Sequence, residues 1–291
     1  MTLEQLRVFV AVAERLHMTR AAEALNLTQS AASAAVAALE ARHGVRLFDR
    51  VGRGLALSPE GRAFLPEAQA VLARAAAAAQ VLDDLAGLRR GAVAIYASQT
   101  IASYWLPPRL VRFRQAHPAV QVRLSVGNTA QVAAAVAAGE VDLGFVEGPV
   151  EDPSLERTRV GADRLAVVVG VDHPWAAGGA ISSADLAKGP WVLREPGSGT
   201  RSEFEQALRR RGLDPAAIEV AAELPSNEAV LAAVRAGGLA AAVSELAAEP
   251  MLGAGVLRRA AFDFPERAFE LLRHPQRHRS RAAEALIGML A

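Results

Sequence analysis

Cysteine is absent from the chain, which excludes disulfides, zinc–thiolate sites and thiol-based redox sensing. Lysine is nearly absent as well: Lys188 stands alone, and every other basic side chain outside histidine is arginine. Beside so many alanines and glycines, that bias reads as coding preference as much as function. An excess of charge is also missing, since 32 basic residues face 31 acidic ones for a formal net charge of +1. No global positive field advertises a nucleic-acid partner, so any such reading has to rest on a motif. Nor is there an apolar run near the roughly 20 residues needed to span a bilayer, because Glu, Asp and Arg interrupt the alanine-rich stretches. The start, MTLEQLRVFV, has no basic segment leading into a long apolar core, so no secretory signal is expected. These absences together predict a soluble cytoplasmic protein without membrane contact.

The chain does have length for two domains, with 291 residues of which 52% are hydrophobic. It also has one dense stretch, residues 18–53. Ala21, Ala22 and Leu25 recur at helical spacing, Asn26-Leu27 breaks the pattern, and a second helix from about Thr28 buries Ala32, Val36 and Leu39. Asn tolerates the left-handed backbone of a tight turn. Two short helices so joined read as a helix-turn-helix, whose second helix can enter the DNA major groove. Its first turn carries Thr28, Gln29, Ser30 and Ser33. Gln pairs with adenine, and Ser and Thr reach bases or backbone. Alone, these residues suit ordinary N-cap and solvated positions as well; the next stretch of chain decides.

After the second helix come Leu39-Glu40, then Leu47-Phe48-Asp49-Arg50, then GRGLALSPEG from Gly52 to Gly61. The run closely resembles the winged helix-turn-helix of LysR-type transcriptional regulators. That resemblance implies that the Gly-flanked hairpin is the wing and that Arg50 and Arg53 are DNA-backbone contacts, which position without reading sequence. Ala35 departs from the pattern, since the family often carries a longer polar or basic side chain near it, facing DNA.

Thr2 and Gln5 fit a capping box for a supporting first helix that buries Leu3, Leu6, Phe9, Val10 and Ala13. Ser58-Pro59-Glu60 is a strong helix start, opening a helix to about Leu85 with Phe64, Leu65, Val71, Leu72, Leu82 and Leu85 as its apolar stripe. Pro66 removes one backbone bond near its start. So long a stripe needs a partner, and the same helix of another subunit is the simplest. The family resemblance makes this linker the dimer interface and implies a homodimer or homotetramer.

Residues 87–91 mark a boundary, beyond which strands and helices alternate. Strands are expected at 92–97, 120–126, 141–146, 165–169, 191–193, 218–222 and 239–243. Helices are expected within 104–116 and at 129–138, 202–211 and 227–236, with 269–273 and 281–290 closing the chain. The alternation predicts parallel sheets with helices on both faces. The whole therefore reads as an α/β protein with a mostly α-helical winged N-terminal domain (1–58), a linker helix (59–87) and an effector domain (91–291). The resemblance implies a two-lobed effector domain of periplasmic-binding-protein type, with lobe I over 91–162 and 268–291, lobe II over 163–267, and crossings near 162–164 and 265–268.

Ligands of such sheets sit at strand carboxyl ends, where helix N-termini point inward. Those ends carry Ser98, Thr100, Thr129, Glu147, Gly197, Ser198, Gly199, Thr200, Arg201, Ser226 and Ser244. Hydroxyls and glycine-freed amides suit a small anion. The loop Gly197-Ser198-Gly199-Thr200-Arg201 lacks the third glycine of a dinucleotide fingerprint and the GK[ST] of a P-loop. The stretches SQTIASYWLP, VGNTAQV and REPGSGTR resemble the LysR-type subgroup controlling carbon dioxide fixation and sulfur assimilation. That resemblance implies an inorganic oxyanion or a small acidic or phosphorylated metabolite as effector.

No catalytic motif, cofactor fingerprint or metal site stands out. His274 and His278 are separated by Pro275, which argues for a loop rather than one helix face, and Asp83-Asp84 reads as solvated charge. Two function classes remain: a DNA-binding regulator sensing a small anion, or a solute-binding α/β protein whose N-terminal helices serve oligomerisation alone. Steep loss of duplex binding with rising salt would mark the first.

Overall fold

A computed structural model describes residues 1–51, 54–85, 91–179, 181–187, 189–277 and 279–290. The chain divides into two compact units, Met1–Gly87 with Ala138–Glu140, and Leu88–Ala137 with Val141–Ala291. Arg53, residues 87–90, His278 and the side chains of Asp83, Asp84 and Leu85 lie outside the described residues.

In the first unit, α1 (Leu3–Arg15) begins at the Thr2/Gln5 capping box and stops where Leu16 turns left-handed at φ 48°. Leu3, expected on its buried face, is exposed in the first turn, while Leu6, Phe9 and Ala13 are buried. α2 (Met18–Ala24) leads through Asn26, also left-handed at φ 55°, into α3 (Gln29–His43), whose N-cap is Thr28. β1 (Phe48–Val51) and β2 (Gly54–Leu57) form the antiparallel wing. Glu40 ties helix to wing, its carboxylate accepting from the Leu47 and Phe48 amides at 2.7 and 3.3 Å. Buried Ser58 donates to the Arg46 carbonyl at 2.7 Å and accepts from the Gly61 amide at 2.8 Å. Gly61 has no room for a side chain, because a Cβ would overlap the Leu47 carbonyl oxygen. The LE…LF…SPEG spacing is thus a set of bonds that closes the wing onto α4 (Pro59–Leu85).

The apolar stripe of α4 divides in two. Phe64, Leu65, Ala68 and Leu72 pack on the core of Phe9, Val12, Val36, Leu39 and Leu47 in their own unit. Val71 and Leu82 are left outward, Leu82 being 67% exposed. The single uncovered stripe expected from Phe64 to Leu85 is therefore corrected: its first half serves the chain's own core. Glu at Leu82 should lower the oligomer mass measured by light scattering at micromolar concentration, because a charge then enters the unpartnered seam. Unchanged mass would remove α4 beyond Leu72 as an assembly surface.

The second unit holds one sheet of eight strands in the order β4-β3-β5-β10-β6-β9-β7-β8. In chain order its elements are β3 (Ala92–Ser98), a π-helical turn at Ile101–Trp105, α5 (Pro107–Ala116), β4 (Gln121–Gly127), α6 (Thr129–Ala138) and β5 (Leu143–Glu147). β6 (Glu156–Gly170), α7 (Ser183–Leu186), β7 (Trp191–Arg194), α8 (Gly199–Arg210), β8 (Val220–Leu224) and α9 (Asn227–Ala236) follow. β9 (Ala240–Ser244), α10 (Glu245–Gly253), β10 (Leu257–Arg273) and α11 (Arg281–Leu290) complete it. β3 runs parallel to β4 and β5, and β7 parallel to β8 and β9. These two parallel sets are the sheets of the two lobes.

Joining them are β6 and β10, antiparallel and paired from Leu257↔Gly170 to Arg273↔Glu156. Two separate parallel sheets are thus replaced by one mixed sheet with a shared spine. The spine was hidden because charged residues, Gly161 and Pro265 interrupt its apolar pattern, so that only 165–169 and 269–273 looked like strands. Register breaks on either side of Glu266 mark where the ladder bends. There Glu266, Arg267 and Ala268 face Arg164, Asp163 and Ala162. Lobe I packs Trp105, Phe113, Phe145 and Phe269 on one face of its sheet. Lobe II packs Trp191, Phe204 and Phe264 on one face and Val168, Val230 and Val243 on the other.

Candidate functional site

On the first unit, α3 turns Ala32, Val36 and Leu39 inward and leaves Thr28, Gln29 and Ser30 exposed, with Ser33 half-exposed one turn on. Thr28 is partly occupied: its Oγ1 accepts from the Ala31 amide at 3.2 Å and lies 3.0 Å from Ser30 Oγ. Gln29 and Ser33, four residues apart, share one face of the helix. Ala35 leans on the core instead of facing outward, so its short side chain forfeits no contact on the exposed face. Exposed Arg50 lines a hollow of about 350 Å³ with Leu16, His17, Met18, Thr19, Gly54 and Leu55, between the wing and the start of α2. An exposed helix face carrying Gln29 and hydroxyls, together with a hollow lined by Arg50, suits a duplex, with bases read by the helix and a phosphate held by the arginine.

On the second unit, the ends of β3, β5, β7 and β9 and the starts of α6, α8 and α9 converge between the lobes. From lobe I, buried Ser98 donates to the Glu147 carboxylate. Thr129 donates to the Glu147 carbonyl at 2.6 Å. From lobe II, Asn227 donates to Thr100 Oγ1 at 3.1 Å, and its own amide donates to Gln99 Oε1 at 3.1 Å. Two buried arginines frame the cleft. Arg194 bonds Gln99 and Asn227 at 3.3 and 3.2 Å and pairs with Glu195 at 2.8 Å. Arg267, on the spine, pairs with Asp163 at 2.7 Å, donates to Thr200 at 3.1 Å and lies 4.0 Å from Glu147.

The lobes meet closely. A Cβ on Gly199 would overlap the Glu147 carbonyl oxygen, and one on Gly148 would fall 2.8 Å from Gly199 Cα. Gly197, at φ 87°, turns the loop under Asn128, whose amide reaches Glu195 and the Pro196 carbonyl at 3.4 Å. Tyr104 and Gln99 both donate to Glu228, at 2.7 and 2.6 Å. Burial raises Tyr104 above its ordinary range, with Glu228 adding to the rise. Burial pushes Glu228 up too, but the bonds from Tyr104, its own backbone, Ser226 and Gln99 outweigh that and hold it low. Glu147 is raised by burial, against the opposing pull of Arg267, Ser98, Arg194 and Thr100.

Of the expected effector residues, Ser98, Thr100, Thr129, Glu147, Gly197, Ser198, Gly199 and Thr200 come together at this junction. Ser198 is the N-cap of α8 but makes no side-chain cap bond; Thr200 is inside the first turn and buried. Of the other three, Ser226 and Ser244 stand at the start of α9 and the end of β9, while Arg201 turns away. Arg201 is committed to Glu205, Glu223 and the Arg194 carbonyl, because the helical turn from Thr200 carries it to the far side of α8. Ser226 caps α9 by accepting from the Ala229 amide at 3.1 Å. Ser244 is fully buried, and among the described residues its hydroxyl has no partner.

The strand-end and helix-start stretches Ser98-Gln99-Thr100 and Ser226-Asn227 were read from the sequence, whereas Arg194, Arg267 and Asp163 were missed as members of this junction. A charged residue ending an apolar strand, as in WVLR, was the available signal for Arg194. Arg267 had none, lying in a stretch that did not read as strand. His274 sits in a turn, accepting from the Gln276 amide, and no group of three or more potential metal ligands occurs among the described residues. No described helix is long and apolar enough to cross a membrane.

Comparison with known proteins agrees with this division. Residues 3–62 match the bacterial regulatory helix-turn-helix protein family of lysR type, and residues 86–291 match the LysR substrate binding domain. The HTH-type transcriptional regulator YeiE of Escherichia coli K12 is 38% identical over 97% of this chain and 94% of its own. A probable RuBisCO transcriptional regulator of Trichormus variabilis is 36% identical over 98% of this chain and 86% of its own. Among solved structures, the regulatory domain of Synechocystis PCC6803 CcmR, in complex with 2-PG, superposes with a TM-score of 0.63 at 27% identity. It covers 69% of this chain and 96% of its own.

Proposed function

The chain belongs to the LysR family of bacterial transcriptional regulators, and from that premise we propose that it reads its operator with α3 and is switched by a small anion held between its lobes. As a family member it is a DNA-binding regulator with an effector-binding domain, not an enzyme. The observation that carries the anion reading is the convergence of two buried arginines, Arg194 and Arg267, with the hydroxyls of Ser98, Thr100 and Thr200 at the mouths of α8 and α9. The CcmR domain, solved with 2-PG, supports a phosphorylated small acid as the effector class, and 2-phosphoglycolate is the first compound to try.

An anion that bonds donors from both lobes favours the arrangement that brings those donors together, and so biases the lobe equilibrium. Coupling of that bias to DNA binding is typically worth about 1–3 kcal/mol. The protein acts as an oligomer, most simply a homotetramer built on α4, which multiplies reading helices on one operator through effective concentration. A solute carrier is disfavoured by the reading helix and wing that precede the α/β unit.

The experiment for the reading helix compares operator and random duplex. Gln29→Ala or Ser33→Ala should lower discrimination, each good base contact being worth about 1–3 kcal/mol. Arg50→Ala should weaken both duplexes by similar factors and flatten the salt dependence, as a phosphate contact does. Undiminished specificity in the two α3 variants would overturn α3 as the reading element.

A further inference from the structure

The anion seat of the cleft already contains a carboxylate. Glu147, at the end of β5, is buried and takes the Ser98 hydroxyl. It lies beside Thr100 and Arg267, the same donors an incoming oxyanion would need. Its carboxylate takes Ser98 from β3 and stands 4.0 Å from Arg267 of β10, while its main-chain carbonyl accepts from Thr129 of α6 and meets Gly199 of α8. The charged groups facing it are Arg267, itself paired with Asp163 on β6, and Arg194 on β7, itself paired with Glu195. Both cations thus have a carboxylate partner before any effector arrives. An acceptor of this kind bonds a ligand oxygen that carries a proton, and it repels one that does not.

Resting on the anionic-effector reading above, we propose that Glu147 selects the effector by its proton: the cleft takes an oxyanion bearing an O–H, such as inorganic phosphate at neutral pH or a phosphate monoester in its singly protonated form, and rejects fully ionised ones. The O–H donates to the Glu147 carboxylate while the ligand's bare oxygens accept from Arg267, Thr200 and the α8 amides. Sulfate, of the same shape, has no proton to give. It enters only when Glu147 takes up a proton itself, which burial makes easier than for an exposed carboxyl. Sulfate affinity therefore rises as pH falls and is lost as pH rises, whereas phosphate affinity changes less because the ligand supplies the proton.

The test is calorimetric titration of the full-length chain with inorganic phosphate and inorganic sulfate near neutral pH, in wild type and Glu147→Gln. Wild type should prefer phosphate by roughly 10- to 100-fold, the worth of one hydrogen bond to a charged group. Glu147→Gln offers an amide donor to either anion, so the preference should collapse, chiefly by a gain for sulfate. A second measurement needs no variant: sulfate affinity of wild type should fall by up to about tenfold per pH unit once Glu147 is ionised. Equal affinity of wild type for the two anions, a preference that survives Glu147→Gln, or pH-independent sulfate binding overturns the selection and leaves the anion site standing. Binding of neither anion to either protein overturns the anion site, and the selection with it.

Discussion

Alanine at Gly199 is expected to cost the protein its effector while leaving it folded and able to bind DNA. The added Cβ would overlap the Glu147 carbonyl oxygen and lie 2.6 Å from Thr129 Oγ1. Glu147 and Thr129 belong to lobe I and Gly199 to lobe II, so each lobe can keep its own core and only their approach is blocked. An anion then reaches one lobe's donors but not the other's. Two or more charge-assisted hydrogen bonds are lost, about 3 kcal/mol or more, or at least roughly a hundredfold in affinity. Calorimetry with phosphate or 2-phosphoglycolate measures the loss, and the far-ultraviolet circular dichroism spectrum reports that the fold persists. If Gly199→Ala binds either ligand as tightly as wild type does, the close approach of the lobes is not part of the site.

Methionine at Arg267 should have the largest effect on stability. Arg267 and Asp163 are both buried, their side chains 3% and 2% exposed, and Glu147 stands 4.0 Å away. Removing the cation strands two carboxyls in a site that burial already makes unfavourable for charge. Breaking a buried pair from one side costs about 3–5 kcal/mol, which for a domain of this size lowers Tm by roughly 6–20 °C.

The loss should grow with pH. Without Arg267, Glu147 loses the cation that opposed the effect of burial, so its folded-state pKa rises further above its unfolded value. A group raised in this way contributes stability below its unfolded pKa and loses it as pH rises through the folded one. Asp163→Asn in the same chain should recover part of the loss, by a coupling of about 0.5–3 kcal/mol. Melting curves at two pH values test both points. A drop of no more than a degree or two, independent of pH, would mean that the buried triad is not held by Arg267.

The two halves of the chain were unequally legible in the sequence. The first unit could be read closely because its bonds are local. Thr2 reaches Gln5, Thr28 reaches the Ala31 amide and Ser58 reaches Gly61, each spanning a single turn. The fit of Glu40 to the wing spans only seven or eight residues. In the second unit, strand ends could be found wherever an apolar run stopped at Ser, Thr or Gly, and those residues do meet. The arginines that frame the cleft could not be found that way. Arg194 meets Gln99 across 95 positions and Arg267 meets Asp163 across 104, separations over which one sequence carries no pairing signal. Arg201 looked like a site residue from its place in the loop, but the sense of the helical turn sends it toward Glu205 and Glu223. The spine strands were missed for a different reason: a strand that crosses from one lobe to the other passes through a polar junction and so loses its alternation midway.

An anion taken between the lobes should change how the chain holds DNA, and one binding measurement tests this directly. It is a fluorescence-anisotropy titration of the full-length protein onto a duplex selected from a random library, at fixed salt, with and without saturating 2-phosphoglycolate. The ligand is expected to shift the dissociation constant by roughly 5- to 150-fold in one direction, the ordinary range of such coupling, and Gly199→Ala is expected to show no shift. Identical affinities in wild type, under conditions where calorimetry shows the ligand bound, would contradict the coupling.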